Sequence, residues 1–409
     1  MGAYYTKEDV TDYIGKTTIV PRLFDMAKAG CAVAFEPGSA LWCLLSDNPD
    51  RYLYPAVRLG VIDDRGDVIP LPAEIEKGVA DVTQRKGWNR PAAPGFALPT
   101  ETWREHVARR KRCLEIRTKL RAGEVSSIND LITLNLDIRK FAADAIDTCE
   151  GPDLLRAFYH AITHISVLDP TCGSGAFLFA ALNILQPLYD ACLRRMAGFV
   201  ADAKILGKPP APEFVGWLSD AERHPNRDYF VLKSIIVRNL YGVDIMEEAV
   251  EICKLRLFLK LVAQVEPDPA AENQGLEPLP DIDFNIRAGN TLVGFATKAD
   301  VQKSNTRELG HEAIFEEIDH DSLVLSNKFK TWRDHQAGIE DGTHGVEWSK
   351  ADLRKDLDKL RDQLDRMLAG VYGVDADKPR KFAEWRKATS PSTGSPSFTG
   401  SWPAADSTL

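Results

Sequence analysis

The sequence predicts an α/β protein built on part of a doubly wound parallel sheet, with helical additions before and after it. Three observations carry this. Ile165-Ser166-Val167-Leu168 is a short apolar run followed by a turn of small residues and then an apolar helical stretch. Leu240-Tyr241-Gly242-Val243 is a second such run, again followed by a helical stretch, Glu247 to Val262. A third run lies near Phe284-Asn285-Ile286-Arg287. Short apolar runs of this kind suit strands buried on both faces, and strand–helix alternation gives a parallel sheet.

The 409 residues carry a net charge of −9, with 44% hydrophobic and 27% charged residues. This is an ordinary globular composition, and it excludes collagen-like and wholly disordered chains. No run approaches the roughly 20 apolar residues of a membrane span. The seven cysteines are odd in number and none is spaced C-x-x-C. That argues against a disulfide framework or a zinc site and fits a reducing cytosol. The negative charge disfavours a basic coat but leaves room for a local basic groove.

In chain order, residues 6–29 read as a helix, with Thr6-Lys7-Glu8-Asp9 resembling a capping box and Gly30 as its stop. Residues 31–100, rich in Pro and Gly, read as loops and short strands. Residues 101–165 read as three helical pieces broken at Gly123 and Gly151. The first piece, 101–123, holds eight Lys and Arg against three Glu. A solvated helix face is the expected use, ahead of contact with a DNA backbone. The helix after the first strand should run to about Arg195, and 198–230, with Pro209, Pro210, Pro212 and Pro225, reads as an insertion. Residues 301–387 read as polar helices. Leucines 353, 357, 360, 364 and 368 mark an amphipathic helix packed on the domain and capped by Gly370.

The chemistry concentrates in Asp169-Pro170-Thr171-Cys172-Gly173-Ser174-Gly175-Ala176-Phe177. Gly173 and Gly175 allow a tight turn and close approach of a ligand to the backbone. The amides of a following helix favour an anionic group. Asp169, at the strand end, can pair with an ammonium group, which a phosphate-binding turn would not want. No G-x-x-x-x-G-K-[ST] is present, which disfavours a nucleoside triphosphatase. Asp244 closes the second strand, where a carboxylate can accept from both ribose hydroxyls. Asp190 lies nearer the turn but falls inside a helix, so Asp244 is preferred. Ile245 can lie against a flat base, and Asn290 can bond an adenine edge. His160 and His164 have helical spacing without a following Glu, which reads as a helix face and not a metal site.

Together these pieces resemble the adenine-specific, amino-methylating DNA methyltransferases of the gamma-ordered class. More closely, they resemble the large methylases of Type IIG-like restriction–modification and phage-defence systems. The resemblance extends over nearly all of residues 2–387 and is most specific at 2–9, 169–177, 239–260 and 279–294. It implies a partial Rossmann-like S-adenosylmethionine-dependent methyltransferase domain at 166–299, a mainly helical region at 1–165 and a charged helical region at 300–387. It also implies S-adenosylmethionine (SAM) as methyl donor and double-stranded DNA as partner, in a bacterial or archaeal cytoplasm, with restriction or defence subunits as further partners. Carried over, Asp169 faces the methionine amino group. Pro170, Thr171, Cys172, Gly173, Ser174, Gly175 and Phe177 form the turn around the methionine. Asp244 holds the ribose, Ile245 the adenine face and Asn290 the adenine edge. Tyr5 and Thr6 close over the cofactor, with Lys7 where many relatives have Pro.

The family catalyses with Asn-Pro-Pro-Tyr or a close variant, and this motif does not occur in the 409 residues. From Ala388 the sequence turns Ser-, Thr-, Pro- and Gly-rich. Back-translated with permitted codons and read one base earlier, it can spell Ser-His-Gln-Pro-Phe-His-Trp, similar to the segment that leads into the family's catalytic strand. The expectation is therefore a single-base frameshift near Lys387, an out-of-frame tail at 388–409, and a chain that is a fragment at both ends. Two other readings stay open. One is a SAM-binding or DNA-binding subunit working with a separate catalytic chain. The other is a dinucleotide enzyme, although Leu178 stands where the third glycine of its fingerprint would be.

Overall fold

The computed structural model describes residues 6–224, 226–265, 267, 269–270, 272–295, 298–304, 311–337 and 349–389. Tyr5 and the 390–409 stretch of the tail lie outside them. The chain divides into two compact units.

The first unit, residues 16–161 with 194–196, is helical. It contains most of α1 (Glu8–Gly30), then α2 (Ala40–Asp47), α3 (Pro55–Arg58), α4 (Ala73–Ala80), α5 (Trp103–Arg121), α6 (Ile128–Thr133), α7 (Ile138–Asp147) and most of α8 (Pro152–His164). α1 ends at Gly30 as expected. Its start differs: Val10 N and Thr11 N donate to the Lys7 carbonyl, and Thr6 forms no box. The strands expected in 31–100 are not formed. Short helices and 3-10 turns replace them, with only isolated bridges at Ile62–Val68 and Pro91–Thr102. A ring cluster explains this: Phe24, Trp42 and Tyr52 all pack on Phe141, with centroids 5.6–5.7 Å away. Short helices bring such large rings together where extended chain would separate them.

Residues 101–165 form four helices and not three. Asn135, at φ 54°, adds a break between α6 and α7. α5 starts on a true capping box, Thr102 with Glu105. Its cations are not all a solvated face. Arg109 binds Glu101 at 2.7 Å, Arg117 binds Asp50 at 2.7 Å, and Arg110 donates to the Ile69 carbonyl at 2.5 Å. These three tether the 50–101 loops to the helix.

The second unit, residues 1–15, 162–193 and 197–409, holds the sheet. Strands β1 (Val167–Asp169), β2 (Leu240–Asp244) and β3 (Ile286–Ala288) are parallel, in the order β1-β2-β3. Leu168 pairs with Tyr241 and Val243 with Arg287. The parallel strands appear where the apolar runs predict them, within two residues. β1 is an edge strand among the described residues, and Leu168 is 40% exposed.

α9 (Ala176–Ile205) runs ten residues past the expected end. It is long and apolar enough to cross a membrane, but 61% of that window is buried within the protein. The proline-rich insertion is helical too: α10 (Pro212–Glu222) and α11 (Arg227–Arg238). Pro212 occupies the first turn of α10, where its missing N–H costs nothing, and Asn226 caps α11 through the amides of Asp228 and Tyr229. α12 (Glu247–Val262) buries Val250, Cys253, Leu257 and Leu261. Its other side leaves Ile252, Leu255, Leu259 and Val262 exposed.

Beyond the sheet come α13 (Lys298–Ser304), α14 (His311–Gln336), α15 (Lys350–Val371) and α16 (Pro379–Thr389). The leucine stripe of α15 packs with Ile318, Leu325 and Phe329 of α14 and with Phe284, as the amphipathic reading expects. Gly370 lies inside the helix. The stop is instead Gly373, whose φ of +70° no other residue adopts so readily. Asp283 ties this helical layer to the sheet. It accepts from Lys254 of α12 at 2.9 Å and from Lys350 of α15 at 2.7 Å.

Candidate functional site

The three strands end together, and their loops are stitched by hydrogen bonds. Cys172 N donates to the Val243 carbonyl at 2.9 Å, and Gly289 N to the Asp244 carbonyl at 2.8 Å. Thr291 Oγ1 donates to the Pro170 carbonyl at 2.9 Å. Asp244 crosses from β2 to the first turn: its Oδ2 accepts from Gly173 N at 2.8 Å, and its Oδ1 from Met246 N at 2.9 Å. Asp169, the turn 170–177, Asp244, Ile245 and Asn290 are thus gathered at one end of the sheet.

The turn needs its glycines for different reasons. Gly173 sits at φ +49° with open space around it, so only its backbone angle selects glycine. Gly175, at φ +88°, would also place a Cβ 2.7 Å from Cys253 Sγ. The Cys172 thiol is buried against Cys253 and under Gly242, whose Cβ would lie 2.9 Å from Cys172 Sγ. Contact with Cys253 and burial hold that thiol well above the ordinary range. The Cys172 side chain therefore packs the underside of the turn. Leu178, fully buried, would lie 3.1 Å from a Cβ at Gly242. The close helix–strand approach thus uses a glycine on the strand, leaving the helix position to a leucine. A dinucleotide fingerprint does the reverse.

Asp169 is the unusual side chain. Its Oδ1 accepts from Thr171 N at 3.1 Å, while its Oδ2 is buried with no partner among the described residues. Burial raises its carboxyl above the ordinary value, and the Asp244 charge adds to this, against the pull of the Thr171 amide. An ionised carboxylate in this position lacks a counter-charge. Around it, Ile245 is 66% exposed at the mouth of the site. Phe177 is half-buried in the first turn of α9. Asn290 Oδ1 accepts from Leu292 N at 3.0 Å, so this bond does not use its side-chain N–H groups. Thr6 is exposed just before α1. Pro170 and Thr171 are exposed and Ser174 half-buried.

Sequence reasoning missed Arg256. From α12 it donates to the Ser174 carbonyl at 2.6 Å and to Ser174 Oγ at 3.0 Å, and its guanidinium lies 4.5 Å from the Phe179 ring centre. The signal was a lone cation inside the apolar run Leu255-Arg256-Leu257. Among the described residues, no group of three His, Cys, Asp or Glu is placed to hold a metal ion. The site suits a ligand with a cationic end, hydroxyls and a flat ring: a buried carboxylate, a glycine turn, a second carboxylate and an exposed apolar residue follow one another.

Residues 143–307 match the family described as "MmeI, DNA-methyltransferase domain". A protein of Methanocaldococcus jannaschii, described by inference as a type II restriction enzyme and methyltransferase, is 34% identical over 168 residues. The matched segment makes up 41% of this chain and 12% of that relative's length. No solved structure matches the chain. Residues 143–307 are thus similar to a DNA-methyltransferase domain, and the chain shares a 168-residue segment with a relative described as a type II restriction enzyme and methyltransferase.

Proposed function

We propose that this domain binds SAM and serves the N6 methylation of adenine in double-stranded DNA, within a bacterial or archaeal restriction–modification or defence system. The observation that carries the reading is the buried, unpartnered Oδ2 of Asp169 beside a glycine turn braced by Asp244. The residues fit the cofactor. Asp169 would take the methionine ammonium, which supplies the missing counter-charge. Gly173 has no heavy atom within 4 Å of where its Cβ would stand, so the methionine can lie close to the backbone. Each Asp244 oxygen already accepts one amide, and a carboxylate offers about four acceptor positions in all, so two remain for the ribose hydroxyls. Ile245 supplies an apolar surface for adenine, and Asn290 has donors for its edge. SAM brings the transferable methyl group. The residues of this chain bind and orient it, a positioning role. Holding a flipped-out adenine requires a motif such as Asn-Pro-Pro-Tyr, which these residues do not contain. For the chain itself the reading is therefore cofactor binding, and a subunit working with a separate catalytic chain is the second reading.

Calorimetric titration tests this. SAM is expected to bind at one site, NAD is expected not to bind, and Asp244→Ala should weaken SAM binding at least about tenfold through lost ribose contacts and a loosened turn. Absence of SAM binding at millimolar concentration, or equal binding of NAD, would sink the proposal.

A further inference from the structure

The opposite end of the sheet holds a second polar site. A pocket of about 240 Å³ opens where β1 and β2 begin, lined by Ser166, Arg238, Tyr241, Ser326, Lys330 and Arg333, among others. It lies roughly 10 Å from the SAM turn, the length of a three-residue strand. Three Lys and Arg line it against one carboxylate, Asp334, which is already paired with Arg238. Lys330 has no carboxylate partner among the described residues. Among the described residues Arg333 donates only to neutral oxygens, the Tyr241 hydroxyl and the Phe329 carbonyl. Thr163, Asn327, Ser166 and Ser326 add hydroxyl and amide groups that can donate.

Helices α8 and α11 both end here, and their terminal carbonyls would ordinarily repel an anion. Two buried asparagines take up part of that potential, each bonding one carbonyl in the last turn of a helix and one beyond it. Asn239 Nδ2 donates to the carbonyls of Ile162 and Ile165 at 2.8 and 2.7 Å. Asn285 Nδ2 donates to those of Val237 and Leu240, both at 2.9 Å.

We infer that this pocket is a phosphate-binding site in which Lys330 and Arg333 supply the charge and the surrounding hydroxyls supply the remaining hydrogen bonds. The ligand is a single phosphate group, either free or part of a DNA backbone. The inference does not depend on SAM binding, because no residue is shared between the two sites.

The test titrates inorganic phosphate into the full chain at constant ionic strength, followed by phosphorus NMR and calorimetry. One site is expected, and Lys330→Gln should weaken it by about tenfold, as loss of a charge-assisted hydrogen bond does. Arg333→Gln should weaken it further. Since Arg333 also braces Tyr241, the exposed Lys330 variant decides the matter if that protein fails to fold. SAM affinity should be unchanged in Lys330→Gln. Competition of phosphate by a short duplex, with the salt dependence of duplex binding reduced by about one ion in Lys330→Gln, identifies a backbone phosphate. Phosphate binding without such competition identifies a small phosphorylated ligand. Failure to bind phosphate at tens of millimolar, or binding that Lys330→Gln leaves intact, overturns the inference.

Discussion

Asp169 shows at the scale of one residue how the site proposed for SAM works against stability. Its carboxyl is raised by burial first and by the Asp244 charge after that. A group whose folded value is raised stabilises the fold while protonated, and that stability is lost as pH rises through the folded value. At neutral pH the ionised form is therefore a burden on the ligand-free protein. Asp169→Asn keeps an oxygen for the Thr171 amide and removes the charge. It is expected to raise the melting temperature by about 1–3 °C while abolishing most SAM affinity. A variant that melts lower, or that binds SAM normally, contradicts this account. The sequence made Asp169 and Asp244 legible because each follows an apolar run and precedes a helix. It could not show the burial of the Cys172 thiol or the Arg256 brace, since both depend on α12 lying over a turn far away in the chain, 82 residues in the case of Arg256 and Ser174.

At the scale of elements, the three strands were readable because fully buried strands need unbroken apolar runs. The region 31–100 was not, because its order comes from rings converging on Phe141 and from arginines of α5 reaching back to loop carbonyls. Neither leaves a local pattern. The proline-bearing stretch 198–230 read as an insertion with no helix assigned, although a proline in the first helical turn is favourable. The link between α12, α15 and the sheet gives a pH test. Lys350 first, then Lys254, hold the Asp283 carboxyl at about 2, below its ordinary 3.8. Because the folded value is depressed, the stability is present above 3.8 and is lost as pH falls toward about 2. Tryptophan emission from Trp332, which packs on Phe284 at 5.2 Å, should report loosening of this layer in that window. Asp283→Asn should shift the transition toward higher pH. An unchanged acid transition would remove Asp283 from the explanation.

For the whole molecule, the notable surface is the outer side of α12. Ile252, Leu255, Leu259 and Val262 form a stripe at helical spacing, with Leu255 57% and Leu259 59% exposed. Contiguous apolar surface of this kind drives association. The protein is expected to self-associate with rising concentration in sedimentation experiments. Leu255→Lys with Leu259→Glu should return it to monomer without altering SAM affinity, since neither side chain belongs to the turn. Monomeric behaviour of the unaltered chain at high concentration would show the stripe to be harmless.

The hydrogen bonds that join the three strand ends have a further consequence. The amides of Cys172, Gly173, Gly175 and Gly289 are bonded within the protein. The cradle is therefore preorganised: a ligand does not have to freeze a wandering loop, and little of its contact energy is lost to chain entropy. Selectivity then comes from fit to a fixed shape. If the turn holds SAM as proposed, an analogue that is slightly too large should be rejected, because the turn is anchored to two strands.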